Sequence, residues 1–254
     1  MKEVLAFEKV GFAYPGDGQE TVSDLSFTVG EGEFVSLIGA SGCGKSTIFR
    51  LTAGLLPRGR GEIRVGGQSI DGRRGYCGYM PQRDMLFPWR TVGDNLRLPL
   101  EIAGRGSRRE QDEAIDRVLA HVGLSQWRDR LPAELSGGMR QRAAFARTLL
   151  TGSELLLLDE PFSALDFLTR VSMQEWLLGQ WQEDRKTVLF ITHDVEEALL
   201  LSSRILVAER WPITALTAVI VPAPYPRTRA CLAEPAMIAL RETLIDRLRK
   251  QVDA

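Results

Sequence analysis

No stretch of the 254-residue chain approaches the roughly 18 consecutive apolar residues that a membrane span requires. The nearest candidate, residues 213–224, is short and interrupted by proline. Cysteine is scarce. Cys43, Cys77 and Cys231 form no CxxC pair and leave one unmatched, which argues against a disulfide framework or a zinc site and fits a reducing cytosol. Net charge is almost absent, with 32 basic against 33 acidic residues, so the global balance does not point to nucleic acid. The start, Met1-Lys2-Glu3-Val4-Leu5-Ala6-Phe7-Glu8, has acidic residues where a secretory signal needs an unbroken apolar stretch. If the protein works at a membrane, it does so through a partner.

What is present is enough apolar sequence, 44%, to bury a sizeable core in one or two domains. Residues 4–10, 25–29 and 33–38 read as strands, with a loop at Tyr14-Pro15-Gly16-Asp17-Gly18. A helix carrying Ile48, Phe49, Leu51 and Thr52 stops at Gly54, and residues 61–65 followed by Gly66-Gly67 suggest a hairpin. From about residue 83 to 150 the pattern turns helical; Ile115, Val118, Leu119 and Val122 share a face before Gly123. The apolar run 155–158 reads as a parallel strand buried on both faces. A helix with Met173, Trp176, Leu177 and Trp181 on one side follows, then strands at 187–191 and 205–208. A last helix, about 236–252, aligns Met237, Leu240, Leu244 and Leu248. Strand–helix alternation around a helical insert predicts an α/β core with a helical subdomain.

Gly39-Ala40-Ser41-Gly42-Cys43-Gly44-Lys45-Ser46-Thr47 matches G-x-x-x-x-G-K-[ST] after a strand and before a helix. Glycines let successive N–H groups face phosphate oxygens, and the helix start adds about half a positive charge. Lys45 would reach the β- and γ-phosphates, and the Ser46 hydroxyl would ligate Mg²⁺. Leu155-Leu156-Leu157-Leu158-Asp159-Glu160-Pro161 ends an apolar strand in two carboxylates. By itself it fits a buried strand with a solvated acidic end equally well. Beside the loop at Lys45, Asp159 is expected to hold Mg²⁺ and Glu160 to polarise the attacking water.

These residues resemble the ATP-binding cassette (ABC) ATPases over nearly the whole chain. In order come the loop at Lys45, Gln82 in Tyr79-Met80-Pro81-Gln82, Ser136-Gly137-Gly138, Asp159-Glu160, Ser163-Ala164-Leu165-Asp166 and Thr192-His193-Asp194. The resemblance implies an α/β fold: a P-loop (RecA-like) parallel-sheet core with an antiparallel β subdomain and an inserted helical subdomain. The expected division is a nucleotide-binding core at 1–82 and 152–212, a helical signature subdomain at 83–151 and a C-terminal extension at 213–254. It implies ATP and Mg²⁺ as cofactors, with Ser46, Gln82 and Asp159 as metal ligands. Glu160, His193 and Gln82 are the implied catalytic residues: Gln82 would offer its amide oxygen to Mg²⁺ and its N–H₂ to the attacking water. His193 would bond the γ-phosphate or orient Glu160; without the family its role stays open, whereas His121 lies in an ordinary amphipathic helix. Tyr14 stands where the family stacks an aromatic on adenine, and Asp166 looks like the residue that crosses to a partner chain.

The stretch Leu135-Ser136-Gly137-Gly138-Met139-Arg140-Gln141-Arg142 looks like the family signature. Ser136 is placed as an N-cap with bare N–H groups behind it, a second anion site in a chain that already has one. Two copies packed head to tail would each bring an ATP to the other's Ser136. One cassette, without a coiled-coil insertion or basic tail, favours a membrane transporter's motor over a soluble ABC ATPase of repair or translation. Asp84-Met85-Leu86-Phe87-Pro88-Trp89-Arg90-Thr91-Val92-Gly93-Asp94-Asn95 resembles bacterial importers of the nitrate, sulfonate and taurine type, and Leu165-Asp166-Phe167-Leu168-Thr169-Arg170 agrees with that branch. Importers of thiamine precursors look alike here. Expected partners are a second copy, transmembrane permease subunits and indirectly a solute-binding protein, at the inner face of the cell membrane and without nucleic acid. Phe87, Pro88 and Trp89 fit a permease contact or packing within the helical subdomain equally. Past His193 the likeness loosens, with Arg210-Trp211-Pro212-Ile213 where the family has a Pro-Gly-Arg-Ile-like turn.

Overall fold

A computed structural model describes residues 2–252; residues 1, 253 and 254, which close the expected terminal segments, lie outside it. The chain divides into two compact units, Met1–Tyr76 with Trp181–Ala254, and Cys77–Gln180. It begins in the first with β1 (Glu3–Phe12), β2 (Val22–Gly30), β3 (Phe34–Gly39), α1 (Lys45–Thr52), β4 (Arg60–Val65) and β5 (Gln68–Ser69). The second holds β6 (Gly78–Met80), α2 (Val92–Ile102), α3 (Arg108–His121), α4 (Gly137–Leu149) and β7 (Leu155–Asp159). Helix α5 (Phe167–Asp184) leads back to β8 (Thr187–Ile191), α6 (Val195–Leu201), β9 (Arg204–Ala208), β10 (Leu216–Ile220) and α7 (Pro235–Val252).

In the first unit, β2, β1, β4 and β5 form an antiparallel sheet. Phe7 faces Phe27 on one side and Ile63 on the other, and the two phenylalanine rings stack at 4.7 Å. Gly66 and Gly67 both take positive φ, which closes β4 onto β5. A parallel ladder runs β8–β3–β9, and β10 adds an antiparallel edge strand. Every residue of β8 is buried, as two-sided packing requires. In the second unit β7, also wholly buried, pairs in parallel with β6. Helix α3 opens on a capping box between Ser107 and Glu110 and ends just before Gly123 at φ +67°. The expected α/β class, with its parallel and antiparallel strands and helical insert, is what forms. Three elements escape the sequence patterns: three-residue β6, short α6, and β10, which hides in the proline-flanked apolar run at 213–224.

The C-terminal segment is part of the first unit's core. Met237 and Leu244 of α7 pack with Ile38, Ala198, Leu199, Ile205 and Val221. Arg227, 6% exposed, fixes the crossing from β10 to α7. Its guanidinium donates to the carbonyls of Ala223, Leu199 and Ser202, at 2.8, 3.1 and 2.6 Å, and lies 4.1 Å over the Tyr225 ring. Burial draws its pKa down, and burial also lifts the Tyr225 phenol to about 12, so that hydroxyl keeps the proton it donates to Leu201. Arg227→Met would strand three carbonyls, at a cost of about 3 kcal/mol. Arg227→Lys should recover only part, because an ammonium lacks the planar fork. The urea-unfolding midpoint reads both, and a midpoint unchanged in Arg227→Met would deny the pinning role.

Candidate functional site

In the first unit β3 ends at Gly39, and the loop that follows turns into α1. Gly44 caps that helix at φ +109°, and no side chain bonds its first amides. A Cβ on Gly44 would come 2.9 Å from Thr21 Cγ2 and 3.3 Å from Ile213 Cδ1, so both dihedral and space demand glycine here. Lys45 is 8% exposed, and its ammonium donates to the carbonyls of Gly39 and Ala40 at 2.8 and 2.7 Å. Its charge therefore lies within the loop. Tyr14 is half-buried, edge-on to Phe12 at 4.8 Å, and its hydroxyl lies 3.0 Å from Thr47 Oγ1. That bond ties the expected adenine-stacking residue to the first turn of α1.

His193 is exposed on the turn between β8 and α6. Both flanks are fixed. The Thr192 hydroxyl donates to Glu197 Oε2 at 2.6 Å, and Asp194 Oδ1 accepts the N–H groups of Glu196 and Glu197 at 2.8 and 3.2 Å. Two contacts escaped the sequence. Ile213, fully buried, exchanges backbone bonds with Thr21 and Ser23, so the atypical 210–213 turn braces the strand beside the loop. From the end of α7, Gln251 Oε1 accepts the Ala40 N–H at 3.0 Å. A surface glutamine in the last helix carries no sequence signal of such a reach.

The second unit gathers the remaining motifs. Asp159, 2% exposed, ends β7, and Glu160 follows at φ +51°, a conformation that non-glycine residues rarely adopt. Gln82, just past β6, donates its Nε2 to Glu160 Oε2 at 3.1 Å. Ser136 caps α4 through a bond from the Met139 N–H at 3.3 Å, and Ser136 and Gly137 are exposed. Gly138 faces the turn after β7, where a Cβ would come 3.1 Å from the Ala164 carbonyl. Asp166 is exposed; the side-chain and backbone bonds from Thr169 hold its carboxyl below the usual range, so it is ionised at neutral pH. His121 lies flat on Trp176 at 5.5 Å with Nδ1 2.7 Å from the Arg117 carbonyl, the structural role expected of it. Met85 and Trp89 are 63% and 72% exposed, with the Trp89 ring 5.3 Å from that of Phe87.

Each unit carries hard oxygen donors of its own: a carboxylate on Asp159 and an amide oxygen on Gln82 in the second, and a hydroxyl on Ser46 in the first. They suit Mg²⁺, which keeps waters and phosphate oxygens in its shell. Among the described residues no group of three or more His, Cys, Asp or Glu could hold a metal. No described helix is long and apolar enough to cross a membrane.

Residues 22–163 match the ABC transporter family. A putative ATP-binding protein of Brucella abortus is 44% identical over 241 residues, covering 95% of this chain and 92% of its own. The formylaminopyrimidine import ATP-binding protein of Halalkalibacterium halodurans is 46% identical, covering 87% and 86%. A taurine import ATP-binding protein of Shigella boydii is 38% identical, covering 93% and 94%. Among solved structures, a dimeric ATP-binding cassette in a post-hydrolysis state with ADP and Pi superimposes with a TM-score of 0.79 at 27% identity. It is covered in full and spans 87% of this chain. The chain is an ATP-hydrolysing cassette and belongs to the ABC transporter family.

Proposed function

We propose that this chain is the motor subunit of a bacterial importer for a small solute, closing on ATP with a second copy and driving a separate permease at the inner face of the cell membrane. The observation that carries it is the pair of helix starts. One, at α1, has a glycine cap and Lys45; the other, at α4, presents exposed Ser136 and Gly137. A chain needs one such terminus for its own ATP, and the second serves an ATP brought by another copy.

On this reading, the N–H groups of residues 39–47 and Lys45 hold the phosphates while the Tyr14 ring stacks on adenine. Ser46, Gln82 and Asp159 would hold Mg²⁺, which supplies charge neutralisation on the phosphate oxygens when bound. Glu160 takes the proton of the attacking water, and Gln82, which bonds that carboxylate, restrains it. His193 steadies the γ-phosphate or Glu160. Exposed Asp166 crosses to the second copy. Phe87, Pro88 and Trp89, of which Pro88 and Trp89 are exposed, receive the permease. Relatives named for taurine and for formylaminopyrimidine import match this chain over most of its length. Those names support reading the cargo as a small solute, selected by the permease and the solute-binding protein.

Glu160→Gln should bind ATP, turn over at least about 100-fold more slowly and accumulate as an ATP-bound dimer by size exclusion with light scattering. A chain that stays monomeric with ATP and Mg²⁺ would sink the closing mechanism. Ser136→Arg should leave the monomer's ATP affinity within about twofold while abolishing turnover. If nucleotide binding is lost instead, Ser136 does not act on the partner's ATP.

A further inference from the structure

Gln141 has no part in the function proposed above, yet its side chain is among the most fully engaged in the second unit. It lies near the start of α4 and is 5% exposed. Its Nε2 donates to the Glu160 carbonyl at 3.0 Å and to Ser163 Oγ at 3.1 Å. Its Oε1 accepts the Ala164 N–H at 2.7 Å. One carboxamide thus grips both ends of the turn that follows β7. The same Glu160 carbonyl also accepts from the Ser163 N–H at 3.2 Å and the Ser163 hydroxyl at 3.0 Å.

The grip falls on a residue that needs it. Glu160 stands at φ +51°, and a non-glycine residue persists there only where its surroundings over-determine the backbone. Gly138 supplies the closeness, since without a Cβ the first turn of α4 rests against the Ala164 carbonyl. A buried amide with donor and acceptor both satisfied tolerates little sliding, because each bond weakens steeply with distance and angle. Ser136 sits on the same helix end. Any movement of α4 that follows capture of a phosphate at Ser136 is therefore passed to the backbone of Glu160 and on toward Asp166.

We propose that Gln141 is a positioning residue for ATP hydrolysis, locking the signature helix to the 160–164 turn so that Glu160 holds its working orientation only while α4 is seated. Resting on the function proposed above, this makes the Ser136 end of a chain and the Glu160 base of that same chain one mechanical unit. Occupancy of one ATP site in the closed pair then sets the competence of the other.

The test uses the full chain with ATP and Mg²⁺, following turnover across ATP concentration and ATP binding by the monomer. Gln141→Ala should lower kcat roughly 10–100-fold, the range expected when a reacting group is misplaced by about an ångström. The monomer's ATP affinity should stay within about twofold, and the Hill coefficient of turnover should fall toward one. Gln141→Glu keeps the volume and the acceptor for Ala164 but loses the donor to Glu160 and Ser163, so it should show the same loss and serves if the alanine variant does not fold. Wild-type kcat and cooperativity in both Gln141 variants, or a loss confined to KM, would overturn the assignment. Wild-type turnover itself reports on the function proposed above, whereas the variant-to-wild-type ratio reports on Gln141, so the two failures are told apart.

Discussion

The first turn of an α-helix leaves peptide N–H groups with no partner in their own helix. Those groups must be satisfied by water, a side chain or an anion, and this chain organises its chemistry around two such turns. At α1 the cap is a glycine, and the neighbouring Thr21 and Ile213 leave no room for anything larger. At α4 the cap is Ser136, whose hydroxyl takes one N–H and leaves the glycines behind it bare. The parallel ladder through β3 delivers the first, and the close contact of Gly138 with the Ala164 carbonyl seats the second. Much of the remaining structure keeps these two ends in place.

What was legible in the sequence divides along the same line. The loop at residues 39–47, the Leu155 to Glu160 strand end and the Ser136 cap were readable because each packs its chemistry into contiguous residues of constrained type. The strands at 187–191 and 205–208 and the stops at Gly54 and Gly123 followed from apolar runs and from the positive φ that glycine accommodates. Strand β10 was not readable, because its intermediate and exposed residues give an edge strand with no strict alternation. Nor were Ile213 and Gln251, since their contacts with Thr21 and Ala40 join residues far apart in sequence. Gln141 lay in plain view inside the signature. Nothing in that linear stretch told which side chains face the turn after β7 and which face outward.

The likeness to import ATP-binding proteins covers most of the chain, yet the cargo stays out of reach for a physical reason. Nucleotide chemistry is the same whatever solute moves, so the residues that perform it hold no record of the solute. On the proposed function, any imprint of the cargo would lie where the permease docks, and exposed Trp89, 5.3 Å ring to ring from Phe87, is on the surface proposed for it.

The bond between Gln251 and the Ala40 N–H has a practical corollary for handling this protein. The carboxyl end of α7 lies against the phosphate loop, and Arg247 pairs nearby with Glu209 at 3.1 Å. A bulky label placed on the last turn of α7 would therefore sit against that loop, and for nucleotide-binding measurements it belongs elsewhere on the chain.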